Sequence, residues 1–343
     1  MRIILDGMGS DDCPEPEVNA ALQAARTFGD KITLVGPENQ LKHRLDALGA
    51  TETEIRLVDA TDVITMEDKG ISLALKAKRR NAKNSMAVGM DLMVNLEADA
   101  FVTAGNTGGA LATAYYRLGL IKGVERPALS VFLPVKDGQC LILDIGANPD
   151  CKPEHLYQFA IMGAVYVEKV RGKKNPRVGL MSNGEEAGKG NQLIKDTYPI
   201  LESSDLNFIG NVEGKELYGG EVDVVVTDGF TGNVVIKISE AVAKLITDML
   251  RTELTSSTRT KLGALLAKPA FTSIRKMMDP AETGGAPLLG VDGLVYIGHG
   301  RSDSRALFNA IRVARQGVAA NFLGELRTAI QGRLAKTPTP EAS

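Results

Sequence analysis

Apolar residues in this chain fall in short continuous runs that alternate with longer stretches of helical spacing. The segments 3–6, 32–36, 55–59, 100–103, 178–181, 207–210, 222–227 and 294–297 read as strands. Most are dense in Val, Ile and Leu, the pattern of strands buried on both faces. Segments 15–28, 38–48, 85–97, 154–172, 192–202, 233–254 and 304–333 read as helices, and another opens at Gly108. In one of them Met86, Met90, Met93 and Val94 mark the helical period. Segments 129–133 and 140–144 flank Lys136-Asp137-Gly138-Gln139 and read as a hairpin, one antiparallel pair in a largely parallel sheet. This alternation predicts a three-layer α/β/α fold on a mostly parallel mixed sheet. We expect a single large α/β catalytic domain over 1–335, with an amphipathic helical insertion at about 254–279. A Pro- and Thr-rich tail at 336–343 is expected to be disordered.

Four apolar runs end in a turn built from Gly, Asn, an acid and often a Lys. They are 100–109 (AFVTAGNTGG), 141–155 (LILDIGANPDCKPEH), 178–191 (VGLMSNGEEAGKGN) and 222–233 (VDVVVTDGFTGN). Ligands of open α/β sheets bind at the carboxyl ends of the strands, so polar chemistry is expected along one rim of one sheet.

Composition narrows the function. The chain has 343 residues and is 44% hydrophobic, enough for one large domain or two lobes sharing a sheet. A net charge of −2, 5% aromatics and no Trp argue against nucleic acid as a partner. Cys13, Cys140 and Cys151 lack disulfide or zinc spacing and read as reduced thiols. The opening MRIILDGMG enters a strand at once and is not expected to be a signal peptide. There is no apolar run of about 18 residues, so no membrane span is expected.

The candidate phosphate motifs differ in strength. Segment 184–189 (GEEAGK) fails the Walker pattern, with too few residues between its glycines and Gly190 after Lys189. Gly7-Met-Gly9 and Gly298-His-Gly300 are incomplete dinucleotide fingerprints and read as close turns. The AGNTGG loop at 104–109 is better, because glycines expose backbone N–H groups where a helix N-terminus favours an anion. Lys152 beside Pro153 is hard to explain as a cap, because a cation is disfavoured at that pole. His155 follows it, and His299 stands between two glycines after a strand. Glu185 and Glu186 lack a third ligand in sequence, so no metal is assigned. The stretch 254–279 is basic and amphipathic, with Pro269 expected to split it into two short helices. It fits a core or dimer seam, or a surface for anionic lipid or an acidic protein.

Taken together and in order, these motifs resemble the phosphate acyltransferase family of bacterial phospholipid synthesis. The resemblance covers roughly 1–320 and rests on Asp6-Gly-Met-Gly9-Ser-Asp11, the segment from Ala98 to Gly108, Asp144-Ile-Gly-Ala-Asn148 and Cys151-Lys-Pro-Glu-His155. It continues through Asn207-Phe-Ile-Gly-Asn-Val-Glu-Gly214, Asp228-Gly-Phe-Thr-Gly-Asn233, Gly284-Gly-Ala-Pro-Leu-Leu-Gly290 and Gly298-His-Gly300. Gly7, Ser10 and Cys13 depart from the family's usual residues. The resemblance implies a fold related to isocitrate and isopropylmalate dehydrogenases and to phosphotransacetylase. It implies reversible transfer of a fatty acyl group from acyl-acyl carrier protein to inorganic phosphate, with no cofactor. It also implies a cytoplasmic homodimer loosely held at the inner face of the membrane, near a downstream membrane acyltransferase. An NAD-dependent β-decarboxylating dehydrogenase on the same fold is the alternative.

On this reading phosphate is the nucleophile, in keeping with the absence of a G-x-S-x-G elbow. Phosphate is assigned to Gly105, Asn106, Thr107 and Gly108 and to Thr231, Gly232 and Asn233. Lys152 or Lys189 supplies counter-charge, His155 with Asn183 serves the oxyanion, and Asp6 or Asp228 orients or deprotonates phosphate. Lys261, Leu262, Leu265, Leu266, Lys268, Phe271 and Arg275 form the expected membrane or carrier surface.

Overall fold

The computed structural model describes residues 1–51, 53–79 and 81–334, so the tail at 336–343 lies outside them. The first part of the chain runs β1 (Arg2–Asp6), α1 (Glu15–Phe28), β2 (Lys31–Gly36), α2 (Glu38–Ala47), β3 (Ile55–Asp59), α3 (Gly70–Lys78), α4 (Ser85–Val94), β4 (Ala100–Thr103) and α5 (Thr107–Arg117). It continues with β5 (Ala128–Val135), β6 (Gly138–Leu143), α6 (Pro153–Arg171), β7 (Val178–Met181), α7 (Gln192–Glu202), β8 (Phe208–Val212), α8 (Gly214–Gly219), β9 (Val224–Val226) and α9 (Gly229–Thr255). The last elements are α10 (Thr258–Leu266), α11 (Lys268–Met278), α12 (Pro280–Thr283), β10 (Ala286–Leu289), β11 (Val295–Ile297), α13 (Ser304–Ala319) and α14 (Phe322–Leu334).

The described strands form one mixed sheet in the order β3-β2-β1-β4-β11-β10-β5-β6-β9-β7-β8. Pairing is parallel from β3 to β11 and again from β6 to β8. The hairpin β5–β6 is present as expected, and β10 adds two more antiparallel pairings, to β11 and β5. Strand β10 was not visible in the sequence because Gly284, Gly285, Pro287 and Gly290 punctuate its run.

The three antiparallel pairings reverse direction across the middle, so β6, β7 and β9 run opposite to β1, β4 and β11. The expectation of one shared rim is therefore corrected. Register shows what replaces it. Thr103 pairs with Ile297, and Ile297 with Ala286. Leu288 pairs with Leu129, Ser130 with Leu143, and Leu143 with Val226. The Ser130 hydroxyl accordingly donates to the carbonyl of Pro287, the neighbour of Ala286. Strand ends from the two halves thus arrive at adjacent levels from opposite directions.

Alternating side chains along each strand feed two faces. One face is a continuous core in which Ile3, Leu5, Leu141 and Leu143 pack with α1, α6, α13 and α14. The other face is covered in two separate patches. Ile4, Phe101 and Val295 pack under α4 and α5, while Ile142, Val225 and Leu133 pack under α8 and the start of α9. Between the patches, Val131 of β5 is only partly covered. The helix expected over 304–333 is broken, because Asn321 takes a left-handed φ of 47° and turns Phe322 edge-on to Tyr166.

Candidate active site

Two interlocked sets of loops line one cavity beside β5. In the first, the Asp6 carboxylate accepts from Met8 N at 3.1 Å and from the Thr103 hydroxyl at 2.8 Å. That hydroxyl in turn accepts from Gly105 N at 2.9 Å. Gly298 N donates to Thr103 O and Asp11 N to Gly300 O, both at 2.7 Å, which joins the loops after β1, β4 and β11. Gly9 allows the approach, since a Cβ there would lie 2.8 Å from the nitrogens of Ala104 and Gly105. Burial pushes the Asp6 carboxyl up, partly offset by its Ser85, Thr103 and Met8 donors. Behind it, Ser10 N donates to Glu17 at 2.7 Å, and burial pushes Glu17 up to about 7.

In the second set, Asp144 is fully buried and accepts from the backbone nitrogens of Leu129, Gly146, Ala147 and Asn148 and from the Asn148 side chain. Burial raises its pKa, and these donors pull it back. Helix α9 is pressed onto this loop. Gly229 N donates to Asn148 O at 2.8 Å, and Asn233 Nδ2 to Ile145 O at 3.2 Å. A Cβ on Gly232 would fall inside the carbonyl oxygen of Asp144. Asp228 caps α9, accepting from the Thr231 backbone and hydroxyl at 2.9 and 2.8 Å.

The space between the sets is a cavity of about 740 Å3. Its polar end is Thr107 and Gly108 at the start of α5, Gly146, Asn233 and His299. Leu129, Val131 and Leu133 of β5 and Ile236, Met277 and Met278 make it largely apolar, with Lys136 and Lys237 also in its lining. Asn106 caps α5 by accepting from Gly109 N and donates to the carbonyls of Thr65 and Asp68, so its side chain is committed to structure. Thr107 and Gly108 are exposed and present the helix N-terminus to the cavity.

The predicted site residues therefore separate. Thr107, Gly108 and Asn233 line the cavity, with Gly105, Asn106, Thr231 and Gly232 directly behind them. Asp6 and Asp228 are buried, and their oxygens are engaged by their own loops. His155 is 5% exposed; its Nδ1 accepts from Lys152 N at 3.1 Å and its Nε2 faces Glu125 at 3.2 Å. That makes His155 a capping residue of α6, away from the cavity walls. Lys152 occupies the N-cap position of α6 and is exposed, but its side chain makes no capping hydrogen bond; the His155 ring supplies the cap. Asn183 accepts from Gly190 N, and the Lys189 side chain covers Gly184, so both serve the loop after β7. His299, seen in the sequence only as a residue between glycines, is the imidazole of the cavity. Lys136 and Lys237 gave no sequence signal, being ordinary surface positions of a turn and a helix.

Glu185, Glu213 and Glu216 converge, their ligand atoms within 4.8 Å, although sequence order separates them. Lys215 pairs with Glu185 and Glu216 there and neutralises part of the cluster. In the 254–279 stretch the break falls at Ala267 and Pro269 lies inside the first turn of α11, where a proline is tolerated. Lys261, Leu262, Leu265 and Leu266 are exposed on α10. Phe271 and Arg275 of α11 turn toward α9, while Lys268 opens α11.

This architecture is the phosphotransacetylase fold. A phosphotransacetylase from Streptococcus pyogenes superposes with a TM-score of 0.61 at 14% identity, covering 93% of this chain and 94% of that one. The EutD phosphotransacetylase from Staphylococcus aureus gives 0.58 at 15% identity, with 96% and 94% covered. Sequence goes further than fold. The family described as "Fatty acid synthesis protein" matches residues 1–324. The phosphate acyltransferase of Elusimicrobium minutum is 46% identical over 330 residues, 95% of each chain. That of Desulfitobacterium hafniense strain DCB-2 is 45% identical over 328 residues, 95% of this chain and 97% of that protein. The chain belongs to the phosphate acyltransferase family.

Proposed function

We propose that the protein transfers a fatty acyl group reversibly between acyl-acyl carrier protein and inorganic phosphate. The observation that carries this reading is the cavity itself, whose lining combines a helix N-terminus and an imidazole with apolar walls. A phosphate oxygen adds to the thioester carbonyl carbon, forming the C–O bond and an oxyanion. The C–S bond then breaks, and its electron pair leaves on sulfur. A thiol of pKa about 8.5 leaves with little acid assistance, so positioning and oxyanion stabilisation are the main tasks.

The backbone N–H groups at Thr107 and Gly108 suit the phosphate, which the field of α5 favours. His299 faces the reacting carbonyl or sulfur, and Lys136 and Lys237 supply counter-charge. Asp6, Asp144 and Asp228 are positioning residues that shape the loops. The apolar walls exclude water, which would otherwise hydrolyse the acyl phosphate.

The test is to incubate the purified protein with acyl-acyl carrier protein and labelled phosphate and to measure hydroxylamine-sensitive acyl phosphate. His299→Ala is expected to lower kcat by ~10²–10³, the usual cost of a lost oxyanion donor. His155→Ala is expected to act on stability instead. Equal activity of His299→Ala and the unaltered protein would remove the imidazole from the mechanism. No acyl phosphate from any donor would sink the functional reading.

A further inference from the structure

The apolar space does not end at the strand ends. A second cavity of about 910 Å3 lies between α9, α11 and the loop after β11. Its walls share Glu240, Ala243, Met278, Gly284 and His299 with the first cavity, so the two are joined. Along α9, Ile236, Glu240, Ala243, Thr247, Leu250 and Leu254 recur at the helical period and line the two in succession. At 1.5 Å per residue the wall from Ile236 to Leu254 is about 27 Å long, room for an extended fatty chain. Phe271, Ile274 and Met278 of α11 stand opposite it.

Resting on the function proposed above, we infer that the donor's acyl chain runs from the first cavity, through the junction lined by His299, Ala243 and Met278, into the second cavity. The occupant follows from continuity. The groove opens into the space where the thioester carbonyl must sit and offers an apolar chain a walled path between α9 and α11, with charged residues such as Lys244, Arg251 and Arg275 also in its lining. Ala243 is the smallest side chain on the α9 wall, and the next turn brings Thr247. Side-chain bulk at these two positions then sets the longest chain accepted. Each methylene denied burial costs about fourfold in kcat/KM, from ~0.8 kcal/mol per CH2.

The experiment compares kcat/KM for octanoyl- and hexadecanoyl-carrier donors in the whole protein and in Ala243→Phe and Thr247→Phe, with thermal midpoints alongside. Ala243→Phe is expected to lower hexadecanoyl transfer roughly a hundredfold more than octanoyl transfer, the loss for three to four methylenes. Thr247→Phe lies about 6 Å further along the helix and should reject only the longest chains. An unchanged ratio of the two donors in both variants overturns the inference. That is the outcome if a second copy of the chain, rather than the substrate, covers this groove. Displacement of a fluorescent fatty acid by octanoate and hexadecanoate separates the two possible failures. Tighter hexadecanoate binding that Ala243→Phe abolishes, without acyl phosphate formation, keeps the groove and sinks the reaction. Binding independent of chain length sinks the groove whatever the activity.

Discussion

The loops after β1, β4 and β11 and those after β6 and β9 reach the same cleft, each rooted in a buried aspartate. They are held by different chemistry. Asp144 takes four backbone amides of its surroundings directly, and α9 is then pressed against the loop with no room for a side chain at Gly232. Asp6 reaches Gly105 only through the Thr103 hydroxyl, with a titratable Glu17 supporting the next turn. A saturated carboxylate in contact with backbone makes a rigid wall. A relay of hydroxyl and carboxyl makes one whose geometry responds to protons. We therefore assign rigidity to the Asp144 side and adjustability to the α5 side, where the phosphate is proposed to bind.

The hardest test of that contrast is Gly232→Ala. The new methyl collides with a backbone carbonyl that cannot step aside, so α9 must shift, at a cost of ~3–5 kcal/mol. Urea unfolding reads this, and a cost below about 1 kcal/mol would show that the α9 junction gives way after all. Asp144→Ala comes next. It strands several buried amides and should cost about 3 kcal/mol, whereas Asp144→Asn keeps part of the acceptor capacity and should cost less.

The smallest effect lies on the other side and depends on pH. Glu17 has its ordinary value of 4.5 in the unfolded chain and is raised to about 7 in the folded one, chiefly by burial. Below 4.5 both states hold the proton. Between 4.5 and 7 the unfolded chain releases it first, so stability falls as pH rises and levels off above about 7. Glu17→Gln keeps an oxygen for Ser10 N and cannot ionise. It should match the unaltered protein near pH 4.5 and exceed it by ~1–3 kcal/mol at pH 8, from 1.36 kcal/mol per pKa unit. Parallel stability–pH curves for the two proteins would break the comparison.

Much of this was legible in the sequence. Buried strands and their glycine turns are local features, and α1, β4, β7 and α7 fall where the pattern put them. Strand direction is not local. Nothing in the run at 100–103 or at 222–227 records that one points up and the other down, because this is decided by β10 and β5 far along the chain. The site was half legible for a related reason. Residues that cap helices and residues that bind anions are drawn from the same set, so the sequence alone does not tell whether His155 and Asn183 serve the loops they bond or the ligand. His299 carried a weak motif, and only the fold brings it to Thr107 and Gly108.

The α5 terminus has a consequence for how the protein would respond to its surroundings. Its attraction for an anion comes from aligned peptide dipoles, equivalent to roughly half a positive charge, and no proton can remove it. The dipole's share of the affinity for phosphate should therefore follow ionic strength and the ionisation of phosphate itself. Adding salt would weaken that share at any pH.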